Sequence, residues 1–271
     1  MSLPPEPHNW GRWGEDDQRG ALNFLTPEVV KAATGCVRQG RVISLSLPIK
    51  GSTSSSVAQS VPHLKGRPLP QHFMSVDGAD YEAGVKQPAG GRGIADDALI
   101  VSPHGTTTHM DALCHMWTGS HIYNGHPASR IRSYGATRCG MESVPGITTR
   151  GILFDAAAFR GKPVLDPTDR ICAADLEAMS KAACVTVGQG DAIVLRTGWP
   201  TVFAESPERY WNGEPGLSAD GARWLAERDI SLVASDNSAI SGLNTDGLAD
   251  EGLDDDIHMI FLWRHGIYLM E

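Results

Sequence analysis

Short apolar runs that alternate with helical segments limit most strongly what this chain can fold into. Three such runs are RGILFD (150–155), DAIVLRTGW (191–199) and ISLVASD (230–236), and the first and last of them end in an aspartate. The segments between them have the periodicity of amphipathic helices. Strands that alternate with helices predict an α/β protein with a largely buried sheet, in which residues at strand ends supply a site.

Three segments carry the start signals or the periodicity of helices. TPEVVKAA (26–33) offers Thr26 as the N-cap and Pro27 at the first helical position. AADLEAMSKAA (173–183) and SADGARWLAERD, which begins at Ser218, place apolar residues along one face. The residues expected on these buried faces are Leu176, Met179 and Ala183 in the second segment, and Ala222, Leu225 and Ala226 in the third.

Two other segments also favour strands, and one favours a loop. RVISLSLPI (41–49) has partial alternation, and IHMIFLWRHGIYLME (257–271) predicts two short strands or one strand broken at Gly266. The segment 51–71 is rich in Ser, Gly and Pro and predicts a long loop. Loops of that length are uncommon in compact domains, so this one is either a functional lid or a surface excursion.

Composition sets the outer limits on function. The chain has 271 residues, 41% of them hydrophobic, which is ample for a buried core; we expect one domain over 1–271 with an N-terminal arm at about 1–25. The net charge of −9 argues against nucleic acid as the main partner. No apolar run is long enough to cross a bilayer or to form a signal peptide, and the five cysteines never form a CxxC pair. These features predict a soluble, cytoplasmic protein with reduced thiols and no membrane partner.

The stretch HGTTTHMDALCHMW (104–117) concentrates ligand-type side chains. On an extended backbone His109 and Asp111 project from the same face, because they lie two residues apart. A helical turn after Asp111 would return His115 to the Asp111 side. Imidazole with carboxylate, without paired thiolates, suits Zn²⁺, Mn²⁺ or Fe²⁺. The simpler alternative is a hydrogen-bonded His-Asp pair on a loop.

The run THMDALCH (108–115) resembles the Thr-His-x-Asp-x-x-x-His motif of the metal-dependent cyclase family, which includes bacterial kynurenine formamidase and isatin hydrolase. NWGRWGEDDQRGALNFLTPE near the N-terminus and DDIHMIFLWRHGIYLME at the end are similar to further blocks of that family. The resemblance implies a β-barrel-like mixed sheet flanked by helices, of the swivelling β/β/α type. It also implies a homo-oligomer, a dimer or a tetramer, in which the N-terminal arm or the 51–71 loop crosses to a neighbour.

The resemblance also implies roles for individual residues. His109 and Asp111 match a histidine and the aspartate that hold the first metal of the family, and His115 matches its general base. His258 and Glu271 fit the late ligands that complete a second metal site in members with two ions.

The chain departs from the family pattern one turn before His109. The first histidine of the His-x-x-x-His-x-Asp pattern is replaced by Gly105, and His104 lies one residue earlier. Glycine accepts the dihedral angles that a bulge can need, so His104 is expected to reach the metal through a bulge. The alternative is that this ligand is missing.

These parts predict a metal-dependent hydrolase that cleaves an amide, formamide, lactam or lactone bond of a small carbonyl compound, with one or two Zn or Mn ions. The metal would activate water, and His115 would take its proton. One alternative is a mononuclear non-haem iron oxygenase, since His109, Asp111 and His258 imitate its ligand triad. The Arg-x-Ser expected after that histidine in a 2-oxoglutarate enzyme is missing. Another alternative is a non-catalytic metal or small-ligand binding protein.

Three further residues are candidates for substrate contact. Trp13 and Trp199 would line an aromatic pocket, although tryptophan is more often a core residue. Asp236 ends the predicted strand SLVASD, where a substrate contact and a capping or turn contact are equally compatible with its position.

Overall fold

The computed structural model describes residues 3–5, 7–49, 62–64, 66–105, 107–244, 252 and 254–271. Residues 51–61 and 65 of the predicted loop therefore lie outside the described residues. Two compact units make up the chain: the first comprises Met1–Ile43 and His109–Glu271, and the second comprises Ser44–Thr108. A single domain over 1–271 stays a prediction.

The helices and strands follow one another in the order α1 (Pro27–Thr34), β1 (Gln71–Val76), α2 (Gly78–Glu82), β2 (Asp96–Ile100), β3 (Met110–Asp111), β4 (Ile131–Arg132), β5 (Gly135–Ala136), β6 (Gly151–Asp155), α3 (Ala156–Phe159), β7 (Arg170–Ile171), α4 (Ala173–Ala182), β8 (Ala192–Arg196), α5 (Pro200–Glu205), α6 (Pro207–Tyr210), β9 (Gly216–Leu217), α7 (Ala219–Ala226), β10 (Leu232–Ser235), a π-helix (Met259–His265) and β11 (Tyr268–Met270). Short 3₁₀ helices lie at Gly20–Phe24, Tyr123–Gly125, Ala128–Arg130 and Met141–Ser143. No helix among the described residues is long and apolar enough to cross a membrane.

A five-stranded mixed sheet in the first unit confirms the predicted α/β class. Its strand order is β3-β11-β10-β8-β6, in which β6, β8, β10 and β11 run parallel and β3 pairs antiparallel with β11 at one edge. Helix α4 precedes β8 and helix α7 precedes β10, as expected for crossovers between parallel strands. Ile193 and Val233 at the centre are fully buried, so the interior strands are apolar as the sequence predicted.

The predicted helices form where capping and periodicity placed them. The hydroxyl of Thr26 accepts a hydrogen bond from the Val29 N–H at 3.4 Å and starts α1. Helix α7 follows Ser218 and buries its predicted face. In α4, Leu176 and Met179 are buried as expected, but Ala183 is exposed because the helix ends at Ala182.

Two strand predictions were wrong. Residues 41–49 form no strand, and Val42 is 98% exposed, because the partial alternation finds no paired neighbour there. The first half of the tail, predicted as a strand, is the π-helix, whose residues are all buried. A short, continuously apolar run does not distinguish a buried helix from a buried strand. The predicted break at Gly266 is confirmed, since its φ of 64° ends the helix before β11.

The second unit has a different construction. Its strands β1 and β2 form an antiparallel pair in the register Gln71↔Ile100, and α2 begins with a capping box on Asp77. Within its described residues, only Pro70 is buried. Large apolar side chains of the pair, such as Phe73, therefore remain half exposed.

Candidate metal centre

The register between β3 and β11 assembles the first part of the site. Leu269 pairs with Asp111, and the pairing continues as the His109 N–H donates to the Glu271 carbonyl at 2.9 Å and the Glu271 N–H donates to the His109 carbonyl at 3.1 Å. His109 and Glu271 are thus directly opposite each other, so their side chains lie on one face. Asp111, two residues along, shares that face.

Asp111 lies at the centre of the cluster and is 1% exposed. Its Oδ1 is 3.3 Å from Nε2 of His109, while its Oδ2 is 3.5 Å from Nε2 of His258 and 3.9 Å from Nε2 of His115. The same nitrogen of His258 lies 3.2 Å from Oε1 of Glu271. Five of the predicted site residues are therefore brought together around one buried carboxylate.

His115 reaches this cluster by a turn and not by the predicted helix. Strand β3 ends at Asp111, and the His115 N–H donates to the Ala112 carbonyl at 2.8 Å. Leu113, which is fully buried, anchors the turn in the core. The His115 side chain is 30% exposed, more than those of the other four residues, so it is the one most open to a reactant.

His258 stands immediately before the π-helix, at the position predicted to be a strand. Asp256 starts that helix by accepting the Met259 N–H at 2.9 Å. Burial alone would lower the pKa of His258, but the hydrogen bond and charge of Glu271 and the charge of Asp111 outweigh it and raise the pKa to about 9. The two carboxylates therefore favour the protonated form of this imidazole.

The donor set fits a divalent cation. Ligand atoms of His109, Asp111 and Glu271 all lie within 4.8 Å of one another. Two atoms that are each about 2.1 Å from one tetrahedral ion are separated by roughly 3.4 Å. The separations of 3.3 and 3.5 Å from Asp111 to the nitrogens of His109 and His258 match that spacing better than a short charge-assisted hydrogen bond. Imidazole nitrogens with carboxylate oxygens suit Zn²⁺ or Mn²⁺.

Gly105 has a backbone conformation that favours glycine. Its φ of 73° is left-handed, and a Cβ built there would lie 2.7 Å from Cβ of Leu64. Only glycine is therefore accommodated without a shift. His104 belongs to the second unit, and its role as a metal ligand stays a prediction.

The two tryptophans proposed for substrate contact make packing contacts within the first unit. Trp199 is 1% exposed, and its indole N–H donates to the Tyr210 carbonyl at 3.2 Å. Trp13 is partly buried and packs edge-on against Phe24, with ring centroids 5.0 Å apart. A contact of either ring with substrate stays a prediction.

Asp236 ties together the loops that follow β10 and β8. Its Oδ1 accepts hydrogen bonds from the N–H and the hydroxyl of Thr197 at 2.7 and 2.6 Å. Its Oδ2 accepts the N–H of Gly198 at 2.8 Å. These three bonds are the turn contact that was one of the two expectations for Asp236. Its contact with substrate stays a prediction.

Sequence reasoning missed Glu214, which is 2% exposed. Its Oε2 accepts hydrogen bonds from the N–H and the hydroxyl of Ser238 at 3.0 and 2.8 Å. Burial raises the pKa of Glu214 to about 8 against the effect of these bonds, and the charge of Glu271 adds to the rise. The surrounding sequence, NGEPG, is typical of an exposed turn, so no local signal marked this carboxylate as buried.

Comparison with known proteins places this fold in context. Residues 43–241 match the family described as Putative cyclase, a range that ends before His258 and Glu271. No curated protein matches the chain. The crystal structure of a novel cyclase is 33% identical and has a TM-score of 0.84, with 97% of this chain and 85% of that chain covered.

Two isatin hydrolases have the same fold at lower identity. Isatin hydrolase A from Ralstonia solanacearum is 17% identical, with a TM-score of 0.55 over 90% of this chain and 84% of that chain. Isatin hydrolase A from Labrenzia aggregata, bound to benzyl benzoate, is 15% identical, with a TM-score of 0.55 over 92% of this chain and 84% of that chain. Because the family match spans well over half of the sequence, this chain belongs to the cyclase family.

Proposed function

We propose that this protein is a metal-dependent hydrolase that cleaves an amide, formamide, lactam or lactone bond of a small carbonyl compound. The observation that carries the proposal is the environment of Asp111, a buried carboxylate whose two oxygens face the ring nitrogens of three histidines. Membership of the cyclase family and a fold shared with isatin hydrolases support the same class of reaction, the latter by analogy.

The cation would be held by His109, Asp111, His258 and Glu271, with His104 as a further ligand. Asp111 offers a separate oxygen to each side of the cluster, which is compatible with one ion or with two ions that share the aspartate. When bound, a divalent Zn or Mn ion lowers the pKa of water and polarises a carbonyl oxygen.

His115 is the residue that we propose as general base. Its Nε2 lies 3.9 Å from Oδ2 of Asp111, too far for a direct hydrogen bond, and its ring is more exposed than the other histidines of the cluster. A neutral imidazole there takes a proton from the attacking water and delivers it to the leaving nitrogen or oxygen. The Asp111 charge stabilises the imidazolium that forms between the two steps.

We also propose that the working form is a homo-oligomer, a dimer or a tetramer. The second unit supports this, because Phe73, Leu99 and Ile100 are each at least half exposed on a unit that has almost no buried residue among its described positions. Exposed apolar surface of this kind is typical of a protein interface. Light scattering after size exclusion measures the state, and a monomer at micromolar concentration would contradict it.

The function is tested with protein that has been stripped of metal by a chelator and reloaded with Mn²⁺ or Zn²⁺. Isatin represents the lactams, a dienelactone represents the lactones, and an aryl formamide represents the formamides and other open-chain amides. We expect metal-dependent hydrolysis of at least one class, without oxygen uptake. Equal turnover with and without added metal would contradict the proposed metal-dependent hydrolase. Oxygen consumption would favour the iron oxygenase, and metal binding without any turnover would favour the binding protein.

A further inference from the structure

Glu214 is a buried acid without a cationic partner at its carboxylate among the described residues. Ser238 donates two hydrogen bonds to its Oε2, and the Ala239 backbone also acts to lower the pKa of the carboxyl, whereas its Oε1 is buried and has no hydrogen-bond partner in the described part of the chain. Arg170 approaches this segment but donates to the Glu214 backbone carbonyl at 3.3 Å. An ionised carboxylate in such a position is costly, since an unpaired charge away from water loses its solvation.

The ionisable side chains whose charges act on the Glu214 carboxyl and on nearby Tyr210 are acidic. Burial raises the pKa of the Tyr210 phenol, and the negative charges of Glu214, Asp236 and Glu271 add to the rise. Asn237 is 3% exposed; its amide group donates to the carbonyls of Pro215 and Ser241, and its Oδ1 has no partner among the described residues. A protonated Glu214 would supply a donor to a region that otherwise contains spare acceptors.

Glu214 also connects two segments beside the metal centre. Ala234 of β10 pairs with Met270 of β11, the residue before Glu271, so the loop after β10 begins close to the end of β11. The loop that leaves β10 carries Ser238, whose two hydrogen bonds fasten it to Glu214. The acid therefore anchors the loop that begins next to the late metal ligand.

We propose that Glu214 is a positioning residue of the metal centre, and that it works as an un-ionised carboxylic acid that holds the loop after β10 beside Glu271. Oε2 accepts from Ser238, and Oε1 carries the proton. The raised pKa of Glu214 agrees with this arrangement. The inference rests on the proposed function, because it assigns Glu271 to the metal.

The experiment measures Mn²⁺ affinity by titration calorimetry on chelator-treated full-length protein at pH 7. Glu214→Gln keeps an acceptor for Ser238 and a donor at the other position, so affinity should stay within about threefold of the original. Glu214→Ala removes both the acceptor and the donor. We expect its Mn²⁺ affinity to fall by about 10- to 100-fold, the range seen for groups that support metal ligands. If Glu214→Ala does not fold, Ser238→Ala takes its place, since it removes one hydrogen bond to Oε2. We expect its Mn²⁺ affinity to fall by about three- to tenfold.

The outcomes separate this inference from the function. Undiminished Mn²⁺ affinity in folded Glu214→Ala would overturn the positioning role. A loss in Glu214→Gln as large as that in Glu214→Ala would overturn the un-ionised form, because the charge would then be needed. If the original chain binds Mn²⁺ but hydrolyses no substrate class, the proposed function alone fails. If the original chain binds no divalent cation, both fail.

Discussion

Two regions of the first unit bury carboxylates in opposite ways. Asp191, which is 4% exposed, accepts two hydrogen bonds from Arg150 at 2.8 and 2.6 Å and one from the Gly188 N–H at 2.8 Å. In this region, just before β8, the chain itself satisfies the negative charge of Asp191 at short hydrogen-bond distance.

At the β3–β11 edge the arrangement differs. Asp111 faces histidine nitrogens at 3.3–3.9 Å, and a second buried carboxylate, Glu271, lies beside it. Carboxylates that serve the fold are surrounded by fixed donors, whereas those at this edge are spaced as ligands around a common centre. The contrast indicates which buried acids stabilise the protein and which ones bind a cation.

Asp111→Asn should have the largest effect on function. The amide loses the negative charge and one of the two acceptor oxygens, so we expect Mn²⁺ affinity to fall by more than about 100-fold, beyond the range for supporting groups. Metal-dependent turnover should disappear with it. Calorimetry on chelator-treated protein measures the affinity. The matched control is Asp191→Asn, the same change at a buried aspartate in the other region, which should leave Mn²⁺ affinity unaltered. An equal loss of Mn²⁺ affinity in Asp111→Asn and Asp191→Asn would show that the two buried aspartates do not differ in this way.

His115→Ala should separate chemistry from metal binding at the same edge. We expect kcat to fall by about 10²- to 10⁴-fold, because a general base contributes that much. Mn²⁺ affinity should change only a few-fold. His72→Ala serves as control, since His72 also faces an aspartate, with Nε2 2.7 Å from Oδ2 of Asp97, but lies in the second unit. Full metal-dependent turnover in His115→Ala would show that another group is the base.

The pH dependence of stability should distinguish Glu214 from the satisfied carboxylates. Its pKa in the folded chain is raised to about 8 from 4.5, chiefly by burial. The stability that its protonated form contributes is therefore fully present below about pH 4.5 and is lost as the pH rises through about 8. The side chain of Glu214→Gln cannot ionise, so at pH 9 this variant should be more stable than the original by about 5 kcal/mol, and at pH 5 by much less.

Urea unfolding of chelator-treated protein at pH 5, 7 and 9 measures this difference. His258, with a pKa raised to about 9, also loses stability as the pH rises, but it is present in both proteins and so cancels in the comparison. A difference between the two proteins that does not depend on pH would contradict an un-ionised Glu214.

Asp236→Asn should have the smallest effect on function and a modest effect on stability. The new amide group would face N–H donors of Thr197 and Gly198, so we expect a loss of about 1–3 kcal/mol in urea unfolding. Mn²⁺ affinity should fall by no more than about threefold, because Ser238 still fastens the loop after β10 to Glu214. A rise in KM of tenfold or more without any loss of stability would instead support the substrate contact predicted for Asp236.

The proximity of His109, Asp111 and His115 was predicted from their spacing, whereas the backbone that carries His115 was predicted incorrectly. The strand-to-helix switch predicted at Asp111 is a strand followed by a turn, yet His115 still returns to the aspartate, because both paths reverse within four residues. The tail was expected to be strand, but His258 precedes a π-helix. Its apolar residues would be buried in either conformation, so composition did not separate the two.

The sequence by itself determined the parts of the protein that depend on neighbouring residues. The Thr26 cap, the buried face of α7 and the apolar strands β6, β8 and β10 follow from signals within one segment. Only the tertiary structure decided that Glu271 lies opposite His109 and that Glu214 is buried. Strand register and burial are set by packing between segments far apart in the chain, and such contacts leave no periodic trace in either segment alone.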